Sequence, residues 1–266
     1  MKIGKFTFDK GTHVMAIVNL TPDSFYDASR TANDELMSRV QKALSDGAEV
    51  IDIGGQSTRP GHTAVSAQEE WQRIQNAVKL IKNNFDIPLS VDTYYHYVAQ
   101  KALENGADLI NDIWGLQYHE DKACDMAKII AQYDASVCIM HNQSKLSSDK
   151  DLFDDMFAFF DKSLDIAAKV GIDKDKIILD GGIGFGKTRK QNFYVVENYE
   201  KLHKYNLPLL LGTSRKSMFG GNVEDRLAPT LQTTRQAVQK EVLFVRVHDV
   251  KENWLTITQE EAKHLK

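Results

Sequence analysis

The chain has 266 residues, 42% of them apolar and 26% charged, with a formal net charge of −4. That length suits one parallel α/β barrel, which commonly occupies about 250 residues as a single domain, here residues 1–266. The acidic balance speaks against a general nucleic-acid binder, which is normally basic, so an anionic substrate has to be met by a local group of Lys and Arg.

Short apolar and β-branched runs recur along the chain. They are HVMAIVNL (13–20), VIDIGG (50–55), PLSVDT (88–93), DLINDI (108–113), SVCIMH (136–141), IILDGG (177–182), PLLLGTS (208–214) and LFVRVHDV (243–250). They are nearly continuous rather than alternating, as expected of strands buried on both faces of a parallel sheet. Helical patterns lie between them. Leu36, Val40 and Leu44 follow the first run at a spacing of four. Trp71, Ile74, Val78, Ile81 and Phe85 follow the second, at spacings of three and four that predict one apolar helix face. Ser66 and Glu69 form a candidate capping box at that helix's start. Phe153, Met156, Phe157, Phe160 and Leu164 follow the fifth run, and Pro229 suits the first turn of the last inter-strand helix, where its missing N–H costs little.

Nearly every run ends in a polar residue: Asn19, Asp52, Asp92, Asn111, His141, Asp180, then Arg246 and His248. In a (β/α)8 barrel these ends converge on one mouth, where such enzymes place their chemistry. In a doubly wound sheet, the rival architecture, they would spread along an edge. A (β/α)8 TIM barrel is the expected fold.

One string invites a different function. From Gly181 the chain reads G-x-x-x-x-G-K-T, the phosphate loop of nucleotide hydrolases. Its setting argues against that reading. It follows the sixth run rather than an early one, the next run ends without an acid to hold a magnesium shell, and Asp180 stands immediately before the glycines.

Seven strings point elsewhere: NLTPDSFYD (19–27), IDIGGQSTRPG (51–61), SVDT (90–93), IND (110–112), LDGGIGFGKT (179–188), GTSRKSM (212–218) and VRVHDV (245–250). Together they resemble the motif series of the dihydropteroate synthase family of pterin-binding enzymes, in order and from the first strand to the eighth. The resemblance implies an α/β barrel of folate synthesis. Its members condense 4-aminobenzoate with 6-hydroxymethyl-7,8-dihydropterin diphosphate and release pyrophosphate. Rival readings are a methyltetrahydrofolate-binding methyltransferase, which has no need of R-V-H on the last strand, and a pterin-binding paralogue without synthase activity, which would lose the diphosphate or loop residues.

By this resemblance Asp92, Asn111 and Asp180 line the pterin pocket, with Asp52 among the substrate-binding residues. Lys216 reaches the ring, and Met140 and Phe185 wall it. A pterin presents an N–H beside an amino group, two parallel donors that match one carboxylate such as Asp180. Arg246 and His248 alternate on the last strand, so both point to one side, and they are assigned to the diphosphate, apart from the ring residues. Asp27 is expected near the developing cation. Phe25, Thr58 and Pro60 are expected to shelter the aminobenzoate, with Arg59 beside them. Ser217 is expected to offer a helix N-terminus to its carboxylate. Asp27, Lys216, Arg246 and His248 are the catalytic candidates. The resemblance also implies Mg2+ held by the diphosphate and Asn19, and a homodimer. No nucleic-acid or membrane partner is expected. The first residues (MKIGKFTFDK) lack the apolar stretch of a signal sequence, no run approaches the roughly 20 apolar residues that cross a bilayer, and Cys124 and Cys138 form no C-x-x-C pair, so a cytoplasmic location is expected. The barrel leaves no room for a fused pyrophosphokinase or aldolase domain, so a monofunctional enzyme is expected. Departures from the family pattern are Gln56 where an acid is common, Gly181 where proline is common, Ala228-Pro229, and KEV at 240–242.

Overall fold

The computed structural model describes residues 1–18, 20, 30–56, 64–143 and 151–264. Two short antiparallel strands, β1 (Lys2–Ile3) and β2 (Phe6–Thr7), open the chain. Eight parallel strands then close into a barrel: β3 (His13–Ile17), β4 (Val50–Gly54), β5 (Leu89–Asp92), β6 (Leu109–Asp112), β7 (Ser136–Met140), β8 (Ile177–Asp180), β9 (Leu209–Leu211) and β10 (Phe244–Val247), with β10 pairing back onto β3. The helices among the described residues are α1 (Arg30–Ser45), α2 (Ala67–Asn84), α3 (His96–Glu104), α4 (Asp125–Gln132), α5 (Leu152–Val170), α6 (Arg189–Glu197), α7 (Leu227–Gln239) and α8 (Val250–His264). The architecture is the (β/α)8 barrel expected from the runs.

The apolar positions read at helical spacing face the sheet. Trp71, Ile74, Val78 and Ile81 of α2 are buried, as are Leu36 and Val40 of α1 and Phe153, Met156 and Phe160 of α5. Ser66 Oγ accepts from the Glu69 N–H at the start of α2, and Pro229 lies in the first turn of α7.

Each strand divides its residues between two faces, as period-two geometry requires. Val14, Ile51, Val91, Ile110, Ile139, Leu179 and Val245 pack outward against the helices. Met15, Val50, Leu109, Cys138, Ile178, Leu210 and Phe244 point inward and form a closed apolar layer together with Ile3 and Phe8. The hairpin thus plugs the floor of the barrel, and Ser136 Oγ fastens it by donating to the Lys2 carbonyl at 2.6 Å. One step further along the same inward faces the side chains turn polar. Asp52, Asp92, Asn111, Asp180 and Arg246 stand above the apolar layer.

Candidate active site

Those inward residues line a cavity of about 420 Å³ at the carboxyl ends of the strands. Asp52, Asp92, Asn111, Met140, Asp180, Phe185, Lys216, Ser217, Arg246 and His248 all border it. The structure therefore brings together every candidate that falls within the described residues. Asn19, Phe25, Asp27, Thr58, Arg59 and Pro60 lie outside the described residues.

Arg246 organises the floor of the cavity. Its Nε donates to Asp52 Oδ2 at 2.7 Å and a terminal nitrogen donates to Asp92 Oδ2 at 2.7 Å. Asp52 is fully buried, and its other oxygen accepts from Ser90 Oγ at 2.5 Å. Burial works against the Arg246 charge, but the two carboxylates more than offset it and hold its proton more tightly than usual. Burial also pushes the Asp92 carboxyl up from 3.8 to about 7, against the pull of Arg246. The sequence reading keeps Arg246 with the diphosphate and apart from the ring residues. In the structure the guanidinium bridges Asp52 and Asp92, which sets it beside the ring residues as well.

Two acceptors in this floor, Asp92 Oδ1 and Asn111 Oδ1, are buried without a partner among the described residues. A buried acceptor left unmade costs about 1–3 kcal/mol, so such atoms mark where a ligand's donors fit. Asp180 is raised by burial, and its Oδ1 accepts from the Gly182 N–H at 2.8 Å. Lys216 Nζ donates to the Ile183 carbonyl and stands 4.7 Å from the centre of the Phe185 ring. At the rim, Ser214 Oγ lies 3.0 Å from His248 Nδ1 and accepts from the His248 backbone N–H.

The expectation for Ser217 needs correction. It borders the cavity but opens only a single 3-10 turn, Ser217–Phe219, while α7 begins ten residues later at Leu227. One turn aligns too few peptide dipoles for the helix-terminus effect. Sequence reasoning missed Ile113, Ser214, Arg215 and Arg226, which also line the cavity. Ser214 ends the GTS string and was legible as a strand-end polar residue. Arg215 and Arg226 sit in an irregular segment that carries no periodic signal.

The glycine string is resolved by its own hydrogen bonds. The Gly182 N–H goes to Asp180 and the Gly184 N–H to Asn192 Oδ1 at 2.6 Å. Two amides of a phosphate cradle are thereby occupied, one of them by a carboxylate that would repel phosphate.

The cluster His96, Asp121 and Asp125 also groups carboxylates and an imidazole. Both Asp121 oxygens, however, accept from backbone N–H groups at the start of α4. Among the described residues no helix is long and apolar enough to cross a membrane.

Comparison with known proteins agrees with this geometry. The family described as pterin binding enzyme matches residues 15–248. A dihydropteroate synthase of Clostridium beijerinckii is 45% identical over 261 residues, covering 95% of each chain. One of Bacillus subtilis is 39% identical, covering 94% of this chain and 88% of the relative. Among solved structures, a dihydropteroate synthase of Clostridium difficile, determined in the presence of pteroic acid, superposes with a TM-score of 0.91 at 41% identity, covering 98% of this chain and all of that one (100%). A Yersinia pestis dihydropteroate synthase with a sulfonamide drug gives 0.90 at 35% identity, covering 100% of this chain and 99% of that one.

Proposed function

The chain belongs to the pterin-binding enzymes, as a dihydropteroate synthase, and from that premise we propose which of its residues carry the reaction. The activity is a transfer in folate synthesis: 6-hydroxymethyl-7,8-dihydropterin diphosphate condenses with 4-aminobenzoate to give 7,8-dihydropteroate and pyrophosphate. The observation that carries the residue assignment is the pair of buried acceptors, Asp92 Oδ1 and Asn111 Oδ1, that have no partner among the described residues, beside Asp180. A flat heterocycle edged with N–H and amino donors satisfies them, and Met140 and Phe185 supply its apolar walls.

Breaking the bond to the diphosphate leaves positive charge on the pterin's exocyclic carbon. The protein holds the ring, stabilises that charge and aligns the amine, with no covalent nucleophile required. Lys216 and Arg246 bind and orient at the ring side. Arg246 does so through Asp52 and Asp92, while His248 and the nearby Ser214 stand at the rim for the diphosphate. Asp27 near the developing cation, and Phe25, Thr58, Arg59 and Pro60 around the aminobenzoate, belong to this reading through the resemblance alone, and Ser217 contributes its hydroxyl at the cavity border.

Magnesium is part of the proposal as an ion carried on the diphosphate. Asp52, Asp92 and Asp180 already accept from Arg246, Ser90 and Gly182. That donor set fits an ion arriving with the substrate, with Asn19 as its protein ligand, better than a resident one. When bound, the ion would neutralise charge on the leaving group. A cytoplasmic location and a homodimer complete the reading. The free thiols of Cys124 and buried Cys138 support the first, and the resemblance supports the second.

A coupled assay of pyrophosphate release tests the function directly. Release should require both substrates and magnesium, and its absence with both present would overturn the reading.

A further inference from the structure

Lys187 is the residue of the glycine string that the substrate chemistry leaves unused. Its Nζ lies 2.8 Å from His141 Nδ1, 3.0 Å from the Gly182 carbonyl and 3.2 Å from the Phe185 carbonyl. An ammonium has three protons, so these three acceptors saturate it. The side chain is folded into its own loop.

The loop needs its glycines to wrap so closely. Gly182 and Gly186 have φ of +65° and +62°, and a Cβ at either would collide with the carbonyl oxygens of His141 and Gln143. The turn is therefore pressed against the backbone that follows β7, with Lys187 closing it. Between the two carbonyls that Lys187 holds lie the loop's contributions to the cavity. Ile183 accepts from Lys216, while Gly184 and the Phe185 ring line the cavity.

We propose that Lys187 is a positioning residue for the pterin pocket: braced on a neutral His141, its ammonium fixes the 182–185 turn, and through it the Phe185 wall and the carbonyl that seats Lys216. This rests on the pterin-site reading above. Without the ammonium, the Phe185 carbonyl and His141 Nδ1 lose this donor and the Gly182 carbonyl keeps only the Phe185 N–H, so the turn is free to reorganise.

The brace specifies a protonation pattern. His141 must accept at Nδ1, so its proton sits on Nε2. Burial, and then the Lys187 charge, hold the imidazole down to about 3, so it stays neutral. Burial lowers Lys187 to about 7, with Asp180 favouring its charge and Lys216 opposing it. When Lys187 loses its proton, the amine keeps two donors for the carbonyls and turns its lone pair to His141. The imidazole proton then moves to Nδ1.

Three measurements on the full chain test this. The 15N spectrum of labelled histidine should show His141 as the neutral Nε2–H tautomer at pH 6, changing to the Nδ1–H tautomer as pH rises through about 7. An imidazolium signal at pH 6 overturns the brace. Calorimetry with a pterin lacking the diphosphate should show Lys187→Met binding about tenfold more weakly. In turnover, KM for the pterin diphosphate should rise by a similar factor, with kcat changed far less. Equal pterin affinity in wild type and variant overturns the proposal while leaving the function standing. A wild type that binds no pterin overturns the site reading and this proposal with it. Should Lys187→Met fail to fold, His141→Asn and His141→Leu carry the test. The Asn oxygen replaces the acceptor and should retain most of the affinity that Leu loses, whereas equal affinities in the two refute the brace.

Discussion

Replacing Arg246 with leucine tests the floor of the cavity through stability as well as binding. The change removes the partner of Asp52 and Asp92 and leaves two carboxylates in a site whose Asp52 has no exposed surface. Breaking a buried ion pair from one side costs about 3–5 kcal/mol. For a chain of 266 residues that corresponds to a fall of roughly 5–9 °C in Tm. The loss should also depend on pH. Asp92 has a folded pKa of about 7 against 3.8 for the free group. Its carboxyl therefore binds a proton more readily in the folded state, and the contribution of Asp92 to wild-type stability falls as pH rises from about 4 to about 7. Without Arg246 the folded pKa rises further, so in the variant the fall continues above pH 7. Calorimetric melts of both proteins at pH 6 and pH 8 should therefore show the larger gap at pH 8. An equal gap at both values, or a Tm within 2 °C of wild type on the roughly 5–9 °C scale above, would show that the guanidinium is not the electrostatic centre of the floor.

Arg246→Leu should also weaken both the pterin diphosphate and the bare pterin, because Asp92 changes its charge state; calorimetry showing a loss confined to the diphosphate form would restore the simpler division between ring and phosphate residues. Asp180→Asn should abolish pterin binding and leave the melt nearly unchanged, since an amide oxygen can still accept from Gly182 while its NH2 opposes a ligand donor; near-normal affinity would sink the assignment. ATP and GTP should not bind saturably at micromolar concentration, and such binding, lost in Lys187→Ala, would reinstate the phosphate loop. Phe8→Ala should lower stability by about 3–5 kcal/mol by opening the barrel floor, with pterin affinity retained in the folded fraction; chemical denaturation paired with calorimetry would separate the two.

The strand runs and helix faces were legible because burial on both faces leaves an unbroken apolar signature, and on five strands an inward position broke it with a polar residue. Asp92, Asn111 and Asp180 could be found that way, and the motif resemblance then gave them a substrate. The partners of Arg246 could not. Its two carboxylates stand 194 and 154 residues away, and no local pattern encodes a pairing across that distance. Lys187 misled for a related reason: the string shows a lysine after glycines but not that its side chain folds back on the loop. The floor hairpin escaped notice because its strands are two residues long, too short for any period to show. Ser217 was overread because a strand-end serine looks the same before one turn as before a helix.

The ion pairs of Arg246 also set a timetable for the growing chain. At about 5–20 residues per second, the ribosome adds the arginine roughly 10–40 s after Asp52 has been made. Once both acids have been made, withdrawing either from water in its charged form is costly until the counter-charge arrives. The inner face of the early strands thus favours water until the last strand arrives, and premature collapse of the half-made barrel onto itself is opposed by its own carboxylates. Pairing of β10 with β3 closes the sheet and brings Arg246 to the cavity floor, so a truncated product ending before Arg246 should lack both the closed barrel and the counter-charge of its buried acids.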